Sequence, residues 1–234
     1  MYYFLSYNDI RKRVLTFMKE IKTENGYLSI LMGKSGMGKS TISVYDMLNN
    51  IKENKNIMYF SIEYCQSIVY NKLIEHFGTK WQELFNLNVV DGQGYNLDDV
   101  TLLIKKMKPD IVYIDYLDLL RKNTYGISSN ATDDDKINHS KLIVNELAKL
   151  AKELGISIIL LSQEIETSEF EESVAALNKM SEDVTDKNVI KMFIGRDGVF
   201  SDKINCDTIS HVILVDGYDL KHVSSLNVQE LYKS

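Results

Sequence analysis

One eight-residue segment limits what this chain can fold into more than any other. Gly33-Lys34-Ser35-Gly36-Met37-Gly38-Lys39-Ser40 satisfies the phosphate-loop pattern G-x-x-x-x-G-K-[ST] at every position. It also stands where the pattern has physical meaning. The β-like run Tyr27 to Met32 precedes it, and a helix is predicted from about Lys39 to Ile51. Consecutive backbone N–H groups of such a turn wrap an anion, and the helix N-terminus adds its positive dipole end. The segment predicts a nucleotide-phosphate site made by Gly33, Lys34, Ser35, Gly36, Met37, Gly38, Lys39, Ser40 and the following Thr41. Lys39 is expected to reach the β- and γ-phosphates, and the Ser40 hydroxyl to coordinate Mg²⁺.

The rest of the chain alternates strands and helices, the pattern of a mostly parallel central sheet flanked by helices. Asn8 or Asp9 caps a predicted helix with Ile10, Val14, Met18 and Ile21 on one face, ended by Asn25-Gly26. Strands are predicted at 57–62, at 111–114, at 156–161 and at 212–215, with a weaker one at 88–90. Helices are predicted around 68–76, at 98–107 and at 141–154. Ile111-Val112-Tyr113-Ile114 is apolar at every position, as a strand covered on both faces requires. With a single proline and no Pro/Gly/Ser-rich linker in 234 residues, the expectation is one α/β domain over 26–234 behind a helical lead-in at 1–25.

Composition narrows the class. Hydrophobic residues at 44% and charged residues at 26% are ordinary for a soluble globular protein, and no apolar run has membrane-spanning length. Cys65 and Cys206 form no ligand pair, and the N-terminus carries no secretory pattern, so a cytoplasmic location is expected. A net charge of −6 argues against a surface coated for non-specific nucleic-acid binding, though not against a basic channel or loop. Much of the acidity lies between Glu164 and Asp186, which reads as a solvated helical face or a mobile insertion. The polar segment from Arg121 to Ser140 reads as a mobile loop, and Trp81 and Phe85 as helix-packing residues.

Three further residues stand at predicted strand ends, where ligands of open α/β sheets bind. Asp115 follows strand 111–114, and an acid there holds Mg²⁺ in phosphoryl-transfer sites. Asp118, beyond it, reads as a loop residue. Glu63 follows strand 57–62, where a carboxylate can orient and deprotonate an attacking water. Gln163 ends the run Leu160-Leu161-Ser162, placed to sense a γ-phosphate or to cap a turn.

Taken together, Phe60-Ser61-Ile62-Glu63, Ile111-Val112-Tyr113-Ile114-Asp115-Tyr116-Leu117 and Leu147 to Gly155 running on to Leu161-Ser162-Gln163 resemble the RecA-fold motor domain of DnaB-type replicative helicases of superfamily 4. The resemblance spans about Gly26 to Gly217. It implies a RecA-like P-loop NTPase that hydrolyses ATP with Mg²⁺, with Glu63 as catalytic base, Asp115 as Mg²⁺ aspartate and Gln163 as γ-phosphate sensor. It implies a DNA helicase or translocase acting in replication, assembled as a hexameric ring on single-stranded DNA, with replication proteins as partners. Arg196, Asp197 and Gly198 resemble part of the family's DNA-contacting loop. The family's Lys-x-Arg arginine-finger pattern, worth ~10³–10⁵ in rate in phosphoryl transfer, has no counterpart after Val215. A second class therefore stands beside the first: a non-motor ATPase switch, accessory or recombinase-like, that binds a protein partner.

Overall fold

The computed structural model describes residues 25–77, 84–127, 131–163, 170–184, 187–196, 209–216 and 219–227. The predicted N-terminal helix and Trp81 lie outside them. Strands β1 (Leu28–Gly33), β2 (Ile57–Ser61), β3 (Leu87–Asp91), β4 (Ile111–Asp115), β5 (Ser157–Gln163), β6 (Val189–Arg196), β7 (Ile209–Asp216) and β8 (Asp219–Asn227) form one sheet in the order β3-β2-β4-β5-β1-β6-β7-β8. The first six in that order are mutually parallel, and β7 and β8 add antiparallel at one edge.

Side-chain alternation divides the core into two layers. Ile30, Met58, Phe60, Val112, Ile114, Ile158, Leu160 and Phe193 face one side. Helices α3 (Leu97–Met107), α4 (Leu117–Tyr125), α5 (Asp133–Leu154) and α6 (Phe170–Ser181) cover that side. Leu31, Tyr59, Tyr113, Ile159, Leu161, Met192 and Ile194 face the other, beneath α1 (Lys39–Lys52) and α2 (Gln66–Phe77). All five residues of β4 are buried, and each fully buried aliphatic among them contributes roughly 1.5–3 kcal/mol of transfer free energy. No helix among the described residues is long and apolar enough to cross a membrane.

Several expectations need correction. The segment from Arg121 to Ser140 is largely helical: α4 runs to Tyr125 and α5 starts at Asp133. Thr132 supplies the reason, since its Oγ1 accepts the Asp135 N–H at 3.2 Å, and three aspartates in the first turn complement the helix dipole. Arg121 and Ser140 are both buried. The acidic run contains α6, which buries Val174, Ala176, Leu177 and Met180, so it is a solvated helical face with an apolar inner side. Phe85 packs into no helix; it is 75% exposed in the turn before β3. Strands β6 and β8 are additional to those predicted, and β6 takes Gly195 and Arg196 into the sheet, two residues read as loop.

Candidate nucleotide site

All six residues of β1 are buried, and the strand stops at Gly33. A Cβ on Gly33 would collide with the carbonyl oxygen of Ile194 and lie 2.7 Å from its Cγ2. Only glycine allows β1 and β6 this close an approach where the loop departs. The chain turns through residues 34–38 into α1. Its N-cap Gly38 has φ 99°, in the left-handed region, and gives no side-chain cap; no acidic residue occupies the first turn. The helix thus opens with its positive end uncancelled by any side chain of its own, which suits an anion. Ser35 and Gly36 are exposed, while Lys34, Met37, Gly38, Lys39 and Ser40 are half-buried. Lys39 Nζ donates to the carbonyls of Gly33 (2.5 Å) and Lys34 (2.9 Å), which keeps the ammonium inside the loop. Thr41 follows in the first turn of α1; its side chain lies outside the described part.

Parallel register brings the other residues to the same sheet edge. Gly33 pairs with Gln163 across β1 and β5, and Ser61 pairs with Asp115 across β2 and β4. Asp115 is 5% exposed. Its Oδ2 accepts a hydrogen bond from the Tyr59 hydroxyl at 2.6 Å. Burial, then the Asp115 charge, holds the Tyr59 phenol well above its usual value, so it stays a neutral donor. Glu63, two residues past β2, is exposed. Its charge raises the Tyr64 phenol as the largest cause, and raises Tyr116 after burial. The Asp115–Tyr116 peptide is cis.

Gln163 is exposed at the end of β5, and its N–H donates to Asp118 Oδ2 at 3.0 Å. Asp118 belongs to the first turn of α4 rather than to a loop. It pairs with Arg121 at 3.0 Å, and Arg121 Nη1 donates to Ser140 Oγ at 2.9 Å. A buried bracket therefore fixes the Gln163 backbone to α4 and α5. With both its carboxylate oxygens engaged in that bracket, Asp118 is tied up structurally. Arg196 ends β6 opposite Ser210; its side chain, Asp197 and Gly198 lie outside the described part.

Sequence reasoning missed Tyr59, Arg121 and the buried pair Asp46–Tyr113, in which the Tyr113 hydroxyl donates to Asp46 Oδ2 at 2.5 Å. The one signal for such partners was parity: Tyr113 stands two before Asp115 and so shares its face of the sheet. Among the described residues no three His, Cys, Asp or Glu side chains gather into a metal-holding group.

A model of the DnaB-like helicase C-terminal domain family matches residues 78–213, a stretch that includes Asp115 and Gln163 and begins after the phosphate loop and Glu63. No curated protein matches the chain. Among solved structures, an ATPase domain determined on its own is similar at 19% identity and TM-score 0.67, over 94% of this chain and 88% of that one. A DnaB-like replicative helicase, described with its interactions with primase, is similar at 19% identity and TM-score 0.62; 87% of this chain is covered but only 55% of that one. A KaiC-like protein of the hyperthermophilic archaeon Pyrococcus horikoshii is similar at 14% identity and TM-score 0.56, over 86% of this chain and 84% of that one. These likenesses show the RecA-like fold.

Proposed function

The chain belongs to the DnaB-like helicase C-terminal domain family, and from that premise we propose that it is an ATP-hydrolysing DNA motor domain of the replicative-helicase type. In this reading it works on single-stranded DNA as a hexameric ring, in replication and alongside replication proteins. The observation that carries it is the convergence of the phosphate loop, Glu63, Asp115 and Gln163 at the C-terminal ends of four neighbouring parallel strands. That edge is where open α/β sheets bind ligands.

Each residue has a role its chemistry suits. The N–H groups of the loop 33–38 and the opening turn of α1 hold the phosphate chain, with Lys39 as its mobile positive partner. Ser40 and Asp115 hold Mg²⁺, which binds through phosphate and water oxygens with one or two protein oxygens and needs no protein cage. Bound there, Mg²⁺ neutralises charge developing on the phosphates. Glu63, exposed beside this edge, orients the water and takes its proton. Gln163 senses the γ-phosphate, and its backbone is already anchored through Asp118 to α4. Arg196, Asp197 and Gly198 contribute to DNA contact.

Glu63→Gln tests the reading. The amide keeps shape and cannot accept a proton, so ATP binding by calorimetry should match the parent while phosphate release slows by about 10²–10⁴-fold. Parental turnover in Glu63→Gln removes Glu63 as the base. ATPase activity that single-stranded DNA fails to stimulate, in the parent, replaces the motor by a nucleotide-dependent switch.

A further inference from the structure

A phenol lies against the aspartate that ends β4, and nothing in nucleotide binding itself requires it. Tyr59 of β2 pairs in register with Tyr113 of β4. Asp115 is two residues on from Tyr113, so all three side chains share the sheet face beneath α1 and α2. The diagonal from Tyr59 to Asp115 is closed by the 2.6 Å hydrogen bond, between residues 3% and 5% exposed. Packing within the core immobilises the Tyr59 ring, with the Tyr113 ring 6.3 Å away centroid to centroid. A donor held this rigidly selects one orientation of the carboxylate it meets.

The chemical type of the donor matters as much as its place. A buried carboxylate needs hydrogen-bonding compensation. A lysine or arginine would supply it by neutralising the charge a metal ion needs. A neutral phenol compensates the carboxylate and leaves its full negative charge for a cation. We propose that Tyr59 is the positioning residue of the metal-binding aspartate: its hydroxyl holds the Asp115 carboxylate in one orientation, so that the cation site exists before Mg²⁺ and nucleotide arrive. The inference rests on the reading of Asp115 as the Mg²⁺ aspartate given above.

The test compares two isosteric deletions of a hydroxyl from one sheet face, Tyr59→Phe and Tyr113→Phe, with Asp115→Asn and the parent. The Mg²⁺ concentration giving half-maximal ATP binding is measured by calorimetry, beside metal-free ATP binding in chelator and thermal unfolding. Tyr59→Phe should raise the Mg²⁺ half-saturation by about 10–100-fold, the usual loss when an outer-shell partner is removed, and leave metal-free ATP binding unchanged. Tyr113→Phe should keep the parental half-saturation whatever it does to stability. A parental half-saturation in Tyr59→Phe, or equal shifts in the two tyrosine variants, overturns the inference and leaves Asp115 untouched. A parent with no Mg²⁺ dependence, or Asp115→Asn with a parental one, overturns the reading of Asp115 and the inference with it. A measurement independent of folding in Tyr59→Phe uses the parent: Mg²⁺ added with ATP should shift near-ultraviolet tyrosine absorbance, because the cation weakens the acceptor of the Tyr59 hydroxyl. An unmoved spectrum, or the same shift in Asp115→Asn, counts against the contact.

Discussion

Asp46 shows how a single buried group can govern stability without touching the candidate site. It lies on α1 with 2% exposure, accepts from Tyr113, and shares that hydroxyl with Asn50, whose Nδ2 donates to Tyr113 Oη at 3.2 Å. Burial pushes its carboxyl up from 3.8 to about 7, against the lowering effect of the Tyr113 and Asn50 hydrogen bonds. The native state then keeps a proton that the unfolded chain releases. Native protein binds more protons between about pH 4 and about pH 7, so stability falls as pH rises through that window and levels off above it. Asp46→Asn carries no charge at any pH and should lack this fall. In urea unfolding, the parent should lose on the order of 2 kcal/mol more than Asp46→Asn between about pH 5 and about pH 8. Identical pH profiles would mean the carboxyl is ionised in the native state. Nothing local marks Asp46 as buried; its partner is 67 residues away in sequence.

Elements were legible where their boundary chemistry is local. The phosphate loop, α1, α3 and β4 all carry their signals in neighbouring residues. In α3, Asn96 Oδ1 accepts the Asp99 N–H and Asp99 Oδ2 accepts the Asn96 N–H, a closed capping box. The early start of α5 has the same kind of signal in Thr132 and Asp135, masked by the polarity of the segment around them. Strand β6 was harder. Its apolar run Val189 to Ile194 is broken by Lys191, whose Nζ donates to Asn178 Oδ1 of α6 at 2.7 Å. The β1–β6 contact makes a prediction at this scale. Gly33→Ala drives a methyl into the Ile194 backbone, which is held in the ladder by β1 on one side and β7 on the other. Since that backbone cannot move aside as a side-chain tip would, stability should fall by about 1–3 kcal/mol, read as a lower urea midpoint at unchanged slope. An unchanged midpoint would mean that the two strands part easily at the loop.

At the scale of the whole molecule, the proposed motor makes a demand on charge. With −6 overall, DNA contact depends on local cations, and Arg196 at the end of β6 is the one proposed here. Arg196→Ala should weaken single-stranded DNA binding and flatten the dependence of log K on log salt by about 0.7 for each phosphate no longer neutralised. Arg196→Lys should be milder, because a phosphate contact needs charge more than a bidentate fork. Basal ATP hydrolysis should stay near the parent in both. Salt slopes equal to the parent's in Arg196→Ala would remove Arg196 from the contact. Mass measurement with and without ATP, Mg²⁺ and single-stranded DNA should show a hexamer, and a monomer under every condition would end the ring proposal.

The sequence by itself determined that a phosphate loop sits between a buried strand and a helix, and that acids and an amide follow strand ends. Those properties depend on hydrophobic periodicity and turn chemistry, which act over a few residues. Only the tertiary structure decided that β1 lies between β5 and β6, that Gly33 stands beside Gln163, and that Tyr59 reaches Asp115 across 56 residues of chain. Strand order and register follow from how crossover helices pack on the two sheet faces, so each such contact is the product of the whole core and is written in no single segment.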